Sequence, residues 1–233
     1  MAYGLNTQFI LRLFIIMKKI NLPTKITISR IFISSLLIIA LIVFYLLDEF
    51  KVVVIKDFNF QLGAATLNYL MLGFLVVFLV ASLTDFLDGY LARKNNQVTD
   101  LGKFLDPIAD KMLINSVMIF LAINFISLGD NLKFPWFCVV LMVIRDLVVD
   151  GLRFMAAKKK IVLAANYWGK AKTVLQMVSI SVVFLNGWPF SYFDASWLKY
   201  LHISDVLCYL TTLTSLIGGF IYLKDNIKIF NEN

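Results

Sequence analysis

Four aspartates on two consecutive apolar segments are the side chains of this sequence best suited to chemistry. Asp85 and Asp88 are three residues apart at the end of one segment, and Asp106 and Asp110 are four residues apart at the start of the next. Residues at these spacings share one face of an α-helix. If the two segments are antiparallel helices joined by a tight turn, the four carboxylates can point into one small volume.

Carboxylates this close together repel one another unless a cation joins them. Clusters of oxygen ligands suit hard divalent ions, so the pattern favours Mg²⁺ or Mn²⁺, which usually keeps positions open for substrate phosphates. Gly89, Ala92 and Gly102 have small side chains or none, which lets a polyphosphate approach the helix backbone. Arg93 can pair with the phosphate oxygens.

The composition places these residues in a membrane protein. Of the 233 residues, 60% are hydrophobic and 16% are charged, and the mean hydropathy is +0.82. A soluble domain is about 45–50% apolar and about 25% charged, so a water-soluble enzyme is excluded. About six spans of about 20 residues each would use about half of the chain and leave only short loops between them. The apolar runs fall at residues 31–47, 67–83, 112–128, 134–152, 173–185 and 206–223.

Acidic residues inside such spans require an explanation. A charged side chain at the centre of a span costs about 2.5–3.5 kcal/mol, and less toward its ends. The second span runs into Asp85 and Asp88, and the third begins beside Asp106 and Asp110. Carboxylates in these positions call for partners.

Positive charges divide unequally between the loops. Following the runs alternately across the bilayer places most Lys and Arg residues on one side. The other side receives only four lysines: Lys51, Lys56, Lys133 and Lys199. The positive-inside rule therefore puts both termini and the four aspartates at the cytoplasmic side. Because topology and anionic lipids account for the net charge of +7, no nucleic-acid partner is expected.

The N-terminal residues are apolar over too short a stretch to span a bilayer. Residues 9–16 contain Arg12 and precede Met17, Lys18 and Lys19. This pattern favours an interfacial helix over a signal peptide. Cys138 and Cys208 lie among apolar residues without CxxC spacing, which predicts buried free thiols.

The aspartates and their neighbours match the signature of a known enzyme family. The pattern Asp85-x2-Asp88-Gly89-x2-Ala92-Arg93-x8-Gly102-x3-Asp106-x3-Asp110 resembles, at every fixed position, that of the CDP-alcohol phosphotransferases, integral membrane enzymes of phospholipid synthesis. The resemblance implies an all-α integral membrane protein with six transmembrane helices, often a homodimer, and a polar cavity facing the cytoplasm. Residues 30–225 would form the catalytic domain, between an N-terminal cytoplasmic or interfacial segment over residues 1–29 and a tail over residues 226–233.

The flanking segments are similar to the bacterial branch of the family that makes phosphatidylglycerophosphate. They comprise residues 21–30, the stretch from Arg145 and Asp146 to Arg153, and residues 168–173. Asp146 departs from that branch, where Glu is expected. The implied reaction transfers a phosphatidyl group from CDP-diacylglycerol to the C1 hydroxyl of sn-glycerol 3-phosphate, releasing CMP, in the plasma membrane of a bacterium.

The resemblance also implies roles for individual residues. One or two Mg²⁺ or Mn²⁺ ions would be held by Asp85, Asp88, Asp106 and Asp110, and Asp110 would act as the general base. The CDP part of the donor would lie against a larger set: Asp88, Gly89, Ala92, Arg93, Thr99, Asn21, Pro23 and Thr24. Thr99 is also a plausible N-cap of the third span.

A second charged region is suited to the phosphate of the acceptor. Arg145 lies inside the fourth span, and Asp146, Asp150 and Arg153 follow it, so this helix turns a charged face inward. On the fifth span, Lys172, Gln176 and Ser179 form a polar stripe. The expected phosphate ligands are Arg145, Arg153, Lys170 and Lys172. For the two lysines, ordinary inside-loop charge is the alternative explanation.

Other functions remain open at this level. Within the enzyme class, the acceptor could instead be serine, inositol phosphate or phosphatidylglycerol, although the basic region favours a phosphorylated alcohol. A divalent-cation transporter also carries acids in its spans, but such sites generally lie near the midplane, often between inverted repeats. Here the acids crowd one membrane face.

Two further features have structural interpretations. Thr211, Ser215 and Gly219 repeat small residues every four positions on the sixth span, which predicts close helix packing or a dimer surface. His202, the one histidine of the sequence, falls near the predicted outer face, away from the aspartates. It is expected to be a surface residue.

Overall fold

The computed structural model describes residues 22–51, 58–62, 65–94, 100–123, 133–159, 161, 163, 167–192 and 202–227, with only the backbone described for residues 22–23, 85–94, 100–104 and 192. These residues form six α-helices, one β-hairpin and a short 3₁₀-helix at Phe190–Tyr192. The helices are α1 (Leu22–Glu49), α2 (Tyr69–Lys94), α3 (Asp100–Leu121), α4 (Trp136–Lys158), α5 (Tyr167–Phe184) and α6 (Ile203–Asp225).

The prediction of a mostly helical chain is confirmed, since each of the six apolar runs overlaps one helix. Over the described ranges, two helical stretches are long and apolar enough to cross a membrane, Thr24–Glu49 and Ile203–Asp225. The apolar part of α2, Tyr69–Thr84, is shorter. The architecture is consistent with an all-α membrane protein, whereas the number of spans and their orientation stay predictions.

The β-hairpin is the element that the apolar runs did not predict. Strand β1 (Asn59–Leu62) pairs antiparallel with β2 (Ala65–Asn68), so the run at 67–83 begins in a strand. The sequence signal was two short segments separated by two residues that include Gly63, a common hairpin connection. Asn68 then starts α2, because its Oδ1 accepts hydrogen bonds from the backbone N–H groups of Leu70 (2.9 Å) and Met71 (3.3 Å).

Helix α1 begins nine residues before the apolar run at 31–47. The early turns carry Thr24, Thr27 and Arg30 at three-residue spacing, and all three side chains are buried. A hydropathy run misses such turns because their inward face is polar. At its other end, α3 stops at Leu121, short of the predicted 128. The interfacial segment at 9–16, Asn21 and Thr99 lie outside the described residues.

The described chain divides into two compact units. The first contains the described residues up to Ala40 together with Val76–Leu113, and the second contains Leu41–Leu75 and the described residues from Ile114 onward. In the second unit, the rings of Phe44, Phe74 and Phe120 meet edge to face with centroids 5.4–6.3 Å apart. Helix α6 packs against α4 and α5 in this unit.

The helices turn many apolar side chains outward and several polar ones inward. Phe32 is 65% exposed and Phe220 is 71% exposed, whereas Gln176, Ser179 and Ser215 are completely buried. Extended apolar surfaces are unfavourable in water but not in lipid. This distribution is typical of helices that pack through polar and small residues while lipid solvates their outer faces.

The small residues of α6 serve helix packing. Thr211 is fully buried, and its hydroxyl lies 2.7 Å from that of Ser179 on α5. The packing interpretation of this stripe is therefore confirmed. Cys138 and Cys208 are buried free thiols, as predicted. His202 is partly exposed and directly precedes α6, where its backbone N–H donates to Asp205 Oδ2 at 3.0 Å.

Candidate active site

The two halves of the aspartate signature lie in helices on either side of a short connection. Residues 85–93 belong to the last turns of α2, which ends at Lys94, and α3 begins at Asp100. The side chains of Asp106 and Asp110 are described, whereas Asp85, Asp88 and the small residues of the signature are placed by their backbone alone. Among the described side chains, no three of the His, Cys, Asp or Glu type come together. The clustering of all four aspartates thus stays a prediction.

Asp106 is held by two residues of α1. The Thr27 hydroxyl donates a hydrogen bond of 2.7 Å to Asp106 Oδ1. Arg30 Nη2 donates to the Asp106 main-chain carbonyl at 3.4 Å and lies 4.0 Å from the same carboxylate oxygen. Thr27 is 3% and Arg30 1% exposed, whereas the Asp106 side chain is 53% exposed. The carboxylate is therefore anchored from the buried side and open on the other.

Thr27 and Arg30 were not among the predicted site residues. They belong to the segment at 21–30 that carries the family resemblance, from which only Asn21, Pro23 and Thr24 were selected as ligands. The signal that could have found them is the spacing of Thr24, Thr27 and Arg30, which places three polar side chains on one face of an otherwise apolar helix.

The predicted nucleotide-binding residues are described to different extents. Thr24 is buried on α1, one turn before Thr27, and Pro23 lies in the first turn of the same helix. Asp88, Gly89, Ala92 and Arg93 lie in the final turns of α2. Contacts of these residues with a nucleotide remain predicted.

The predicted cation ligands fit Mg²⁺ or Mn²⁺ by their chemistry. All four are carboxylates, the oxygen donors that hard divalent ions prefer. Asp106 also has the hydrogen-bonded support that commonly orients a metal ligand. Asp110 follows one turn later on α3 and is partly exposed.

A buried charged cluster lies in the second unit. Lys172 Nζ on α5 donates to both oxygens of Asp146 on α4, at 2.8 and 2.6 Å. Arg145 Nη1 donates to Asp146 Oδ1 at 3.0 Å, and Arg145 Nε donates to the Ser215 carbonyl of α6 at 3.0 Å. Three helices are thus joined through two cations and one anion, and we call Arg145, Asp146 and Lys172 the α4–α5 charge cluster.

The other two predicted phosphate ligands lie in different surroundings. Arg153 is exposed, and its Nε donates to the Tyr222 hydroxyl at 3.3 Å. The guanidinium carbon of Arg153 is 5.4 Å from the centre of the Tyr222 ring, a cation–π distance. Lys170 is exposed in the first turn of α5. The structure therefore brings Arg145 and Lys172 together on Asp146, with Arg153 against Tyr222.

Two adjacent glycines of α6 make room for Arg145 and Trp168. A Cβ at Gly219 would lie 2.7 Å from Arg145 Cγ and 2.9 Å from Arg145 Nε. A Cβ at Gly218 would lie 2.7 Å from Trp168 Cβ. Real side chains do not approach this closely, so the backbone of α6 can pass the Arg145 side chain because these positions have no side chain.

The residues of both charged regions lie within a segment that matches a known protein family. The sequence model of the CDP-alcohol phosphatidyltransferase family matches residues 20–217, which include the aspartate signature and the α4–α5 charge cluster. The chain belongs to this family, and the resemblance seen in the sequence is confirmed.

Several curated relatives that share one name match most of the chain. The CDP-diacylglycerol–glycerol-3-phosphate 3-phosphatidyltransferase of Mycoplasma genitalium is 38% identical over 222 residues, covering 92% of this chain and 86% of the relative. The protein of that name from Bacillus subtilis is 31% identical, covering 88% of this chain and 95% of the relative. The one from Rickettsia felis is 34% identical, covering 90% and 97%.

Proposed function

We propose that this chain is a bacterial membrane enzyme that transfers the phosphatidyl group of CDP-diacylglycerol to glycerol 3-phosphate, giving phosphatidylglycerophosphate and CMP. The observation that carries this proposal is the extent of the match. Relatives with that substrate pair in their name align over 88–92% of this chain and over 86–97% of their own length. The family model covers both charged regions.

The α4–α5 charge cluster supports a phosphorylated acceptor. Its two cationic side chains and one anionic side chain are largely removed from solvent. Buried charge is costly unless it is paired, so a guanidinium and an ammonium group held together on one carboxylate are suited to binding the oxygens of a phosphate. We assign the acceptor phosphate to Arg145 and Lys172, with Arg153 and Lys170 as further ligands.

Asp110 is proposed as the base that takes the proton of the acceptor hydroxyl. The hydroxyl oxygen forms a bond to the phosphorus of the phosphatidyl group, and the bond from that phosphorus to the oxygen bridging to CMP breaks. CMP leaves with the electron pair of that bond. Asp110 is partly exposed on α3, as a group that receives a proton from a bound substrate must be.

The donor is assigned to the aspartate signature. Mg²⁺ or Mn²⁺ held by Asp85, Asp88, Asp106 and Asp110 would neutralise charge on the pyrophosphate. Gly89 and Ala92 leave room for the nucleotide beside α2, and Arg93 pairs with its phosphates. Asn21, Pro23, Thr24 and Thr99 are proposed to complete the nucleotide contacts.

We further propose six membrane spans with both termini and the active site at the cytoplasmic side. The many exposed apolar side chains of the helices support their placement in lipid. The unequal distribution of Lys and Arg between the loops supports the proposed orientation. A homodimer is proposed from the family resemblance. Light scattering of the purified protein in detergent, corrected for bound detergent, would give its mass.

The reaction is tested by measuring CMP release. The purified full-length protein in detergent would receive CDP-diacylglycerol and, in separate reactions, glycerol 3-phosphate, serine, inositol phosphate or phosphatidylglycerol. We expect rapid turnover with glycerol 3-phosphate alone, its loss on chelation with EDTA, and its return with Mg²⁺ or Mn²⁺. Turnover with another acceptor instead would show that the assignment of glycerol 3-phosphate as the acceptor is wrong, whereas the assignment of the protein as a CDP-alcohol phosphatidyltransferase would stand. Activity that is unaffected by EDTA would show that the proposed dependence on a divalent metal ion is wrong.

A further inference from the structure

Thr27 joins α1 to a carboxylate of the family signature. Its Oγ1 lies 2.7 Å from Asp106 Oδ1, across 79 residues of sequence, in the first unit. The threonine is buried, and the aspartate side chain is more than half exposed. The neighbouring Ser29 differs, since its hydroxyl donates to the carbonyl of Ile26 within its own helix.

A hydrogen bond of this length to an ionised carboxylate is of the charge-assisted kind. The terminal torsion of an aspartate is broad and roughly two-fold, so an isolated carboxylate samples a range of orientations. A buried donor on one oxygen narrows that range and determines which oxygen faces the open side. Arg30 acts on the same residue from the backbone, because it donates to the Asp106 carbonyl at 3.4 Å.

We propose that Thr27 is a positioning residue that orients the Asp106 carboxylate for binding a divalent cation. This inference rests on the proposed function, which assigns Asp106 to the cation. Hydrogen bonds to ligating carboxylates raise metal affinity, and their loss typically weakens it by about 10- to 100-fold. Thr27 touches no reacting atom in this assignment and acts through Asp106.

A purely structural role for the same contact makes a different prediction. If the hydroxyl only holds α1 against α3, its removal lowers thermal stability and leaves cation affinity unchanged. The measurement must therefore follow binding of the cation itself, separately from turnover.

The test measures Mn²⁺ binding to the full-length protein in detergent with CMP present, from the electron paramagnetic resonance signal of free Mn²⁺. Thr27→Val keeps the shape of the side chain without the hydroxyl, and Thr27→Ser restores the hydroxyl. Ser34→Ala is the matched control, since Ser34 is a buried hydroxyl residue on the same helix. We expect Mn²⁺ affinity to fall about 10-fold or more in Thr27→Val and to remain near wild type in Thr27→Ser and Ser34→Ala.

The outcomes separate this inference from the proposed function. If the wild-type protein binds Mn²⁺ and Thr27→Val binds it with the same affinity, the positioning role of Thr27 is wrong and the metal assignment stands. A wild-type protein that binds no Mn²⁺ would overturn the metal assignment and the positioning role with it. If Thr27→Val does not fold, Thr27→Ala provides a second hydroxyl-free variant with less side-chain volume, judged by the same criterion.

Discussion

Asp146 and Lys172 form a buried ion pair that joins α4 to α5. The Lys172 ammonium lies 2.8 and 2.6 Å from the two carboxylate oxygens, and Arg145 adds a third hydrogen bond of 3.0 Å. A buried charge depends on its partners, because water is not available to replace them. The positions of both cations therefore depend on Asp146.

Asp146→Asn is expected to destabilise the protein and to weaken binding of the acceptor. Removing one partner of a buried pair costs about 3 kcal/mol, which should appear as a lower unfolding temperature. We also expect a higher KM for glycerol 3-phosphate, since Arg145 and Lys172 lose the group that orients them. Asp146→Glu should keep most of the activity, and the exposed Asp225→Asn serves as the control for charge loss. An unchanged KM for glycerol 3-phosphate in Asp146→Asn would contradict the assignment.

Gly219→Ala is expected to displace the Arg145 side chain. The new methyl group would lie 2.7 Å from Arg145 Cγ, and overpacking of this kind costs about 1–3 kcal/mol. Thermal unfolding and KM for glycerol 3-phosphate measure the effect. Gly73→Ala is the matched control in α2, because among the described atoms none lies within 4 Å of its added Cβ. Equal unfolding temperatures and equal KM values in the two variants would show that the Arg145 side chain moves aside without loss of stability or acceptor binding, contrary to this prediction.

Asp110→Asn is expected to abolish turnover without unfolding the protein. An amide cannot accept the proton of the acceptor hydroxyl, and loss of a general base typically lowers the rate by about 100-fold or more. The rate of CMP release measures this, with Asp225→Asn as the control and the unfolding temperature as a check on folding. Near-normal turnover in Asp110→Asn would remove this residue as the base.

Labelling of single added cysteines tests the proposed orientation. Lys51 and Lys158 are exposed and are proposed to lie on the outer and cytoplasmic sides, respectively. A membrane-impermeant maleimide should label Lys51→Cys in right-side-out vesicles and Lys158→Cys in inside-out vesicles. Cys138 and Cys208 are buried, so the native thiols should contribute little labelling. The opposite labelling pattern would show that the chain has the reverse orientation in the membrane.

Much of the helical framework could be predicted from local patterns. Apolar runs locate helices because burial in lipid or in a core requires a continuous apolar face. The same logic failed at the ends. It placed Leu67 and Asn68 in a span, although they belong to β2, and it missed the first turns of α1, whose buried face carries Thr24 and Arg30.

The sequence by itself determined the chemistry available to this protein: the spacing of its aspartates, the basic residues of the later helices and the membership of a family. Only the tertiary structure decided the pairings. Asp106 accepts a hydrogen bond from Thr27, which is 79 residues away in the sequence, and Asp146 pairs with Lys172, which is 26 residues away. Periodicity reports which face of one helix a residue occupies, but the partner depends on how separate helices pack, and that is governed by many weak contacts distributed along the whole chain.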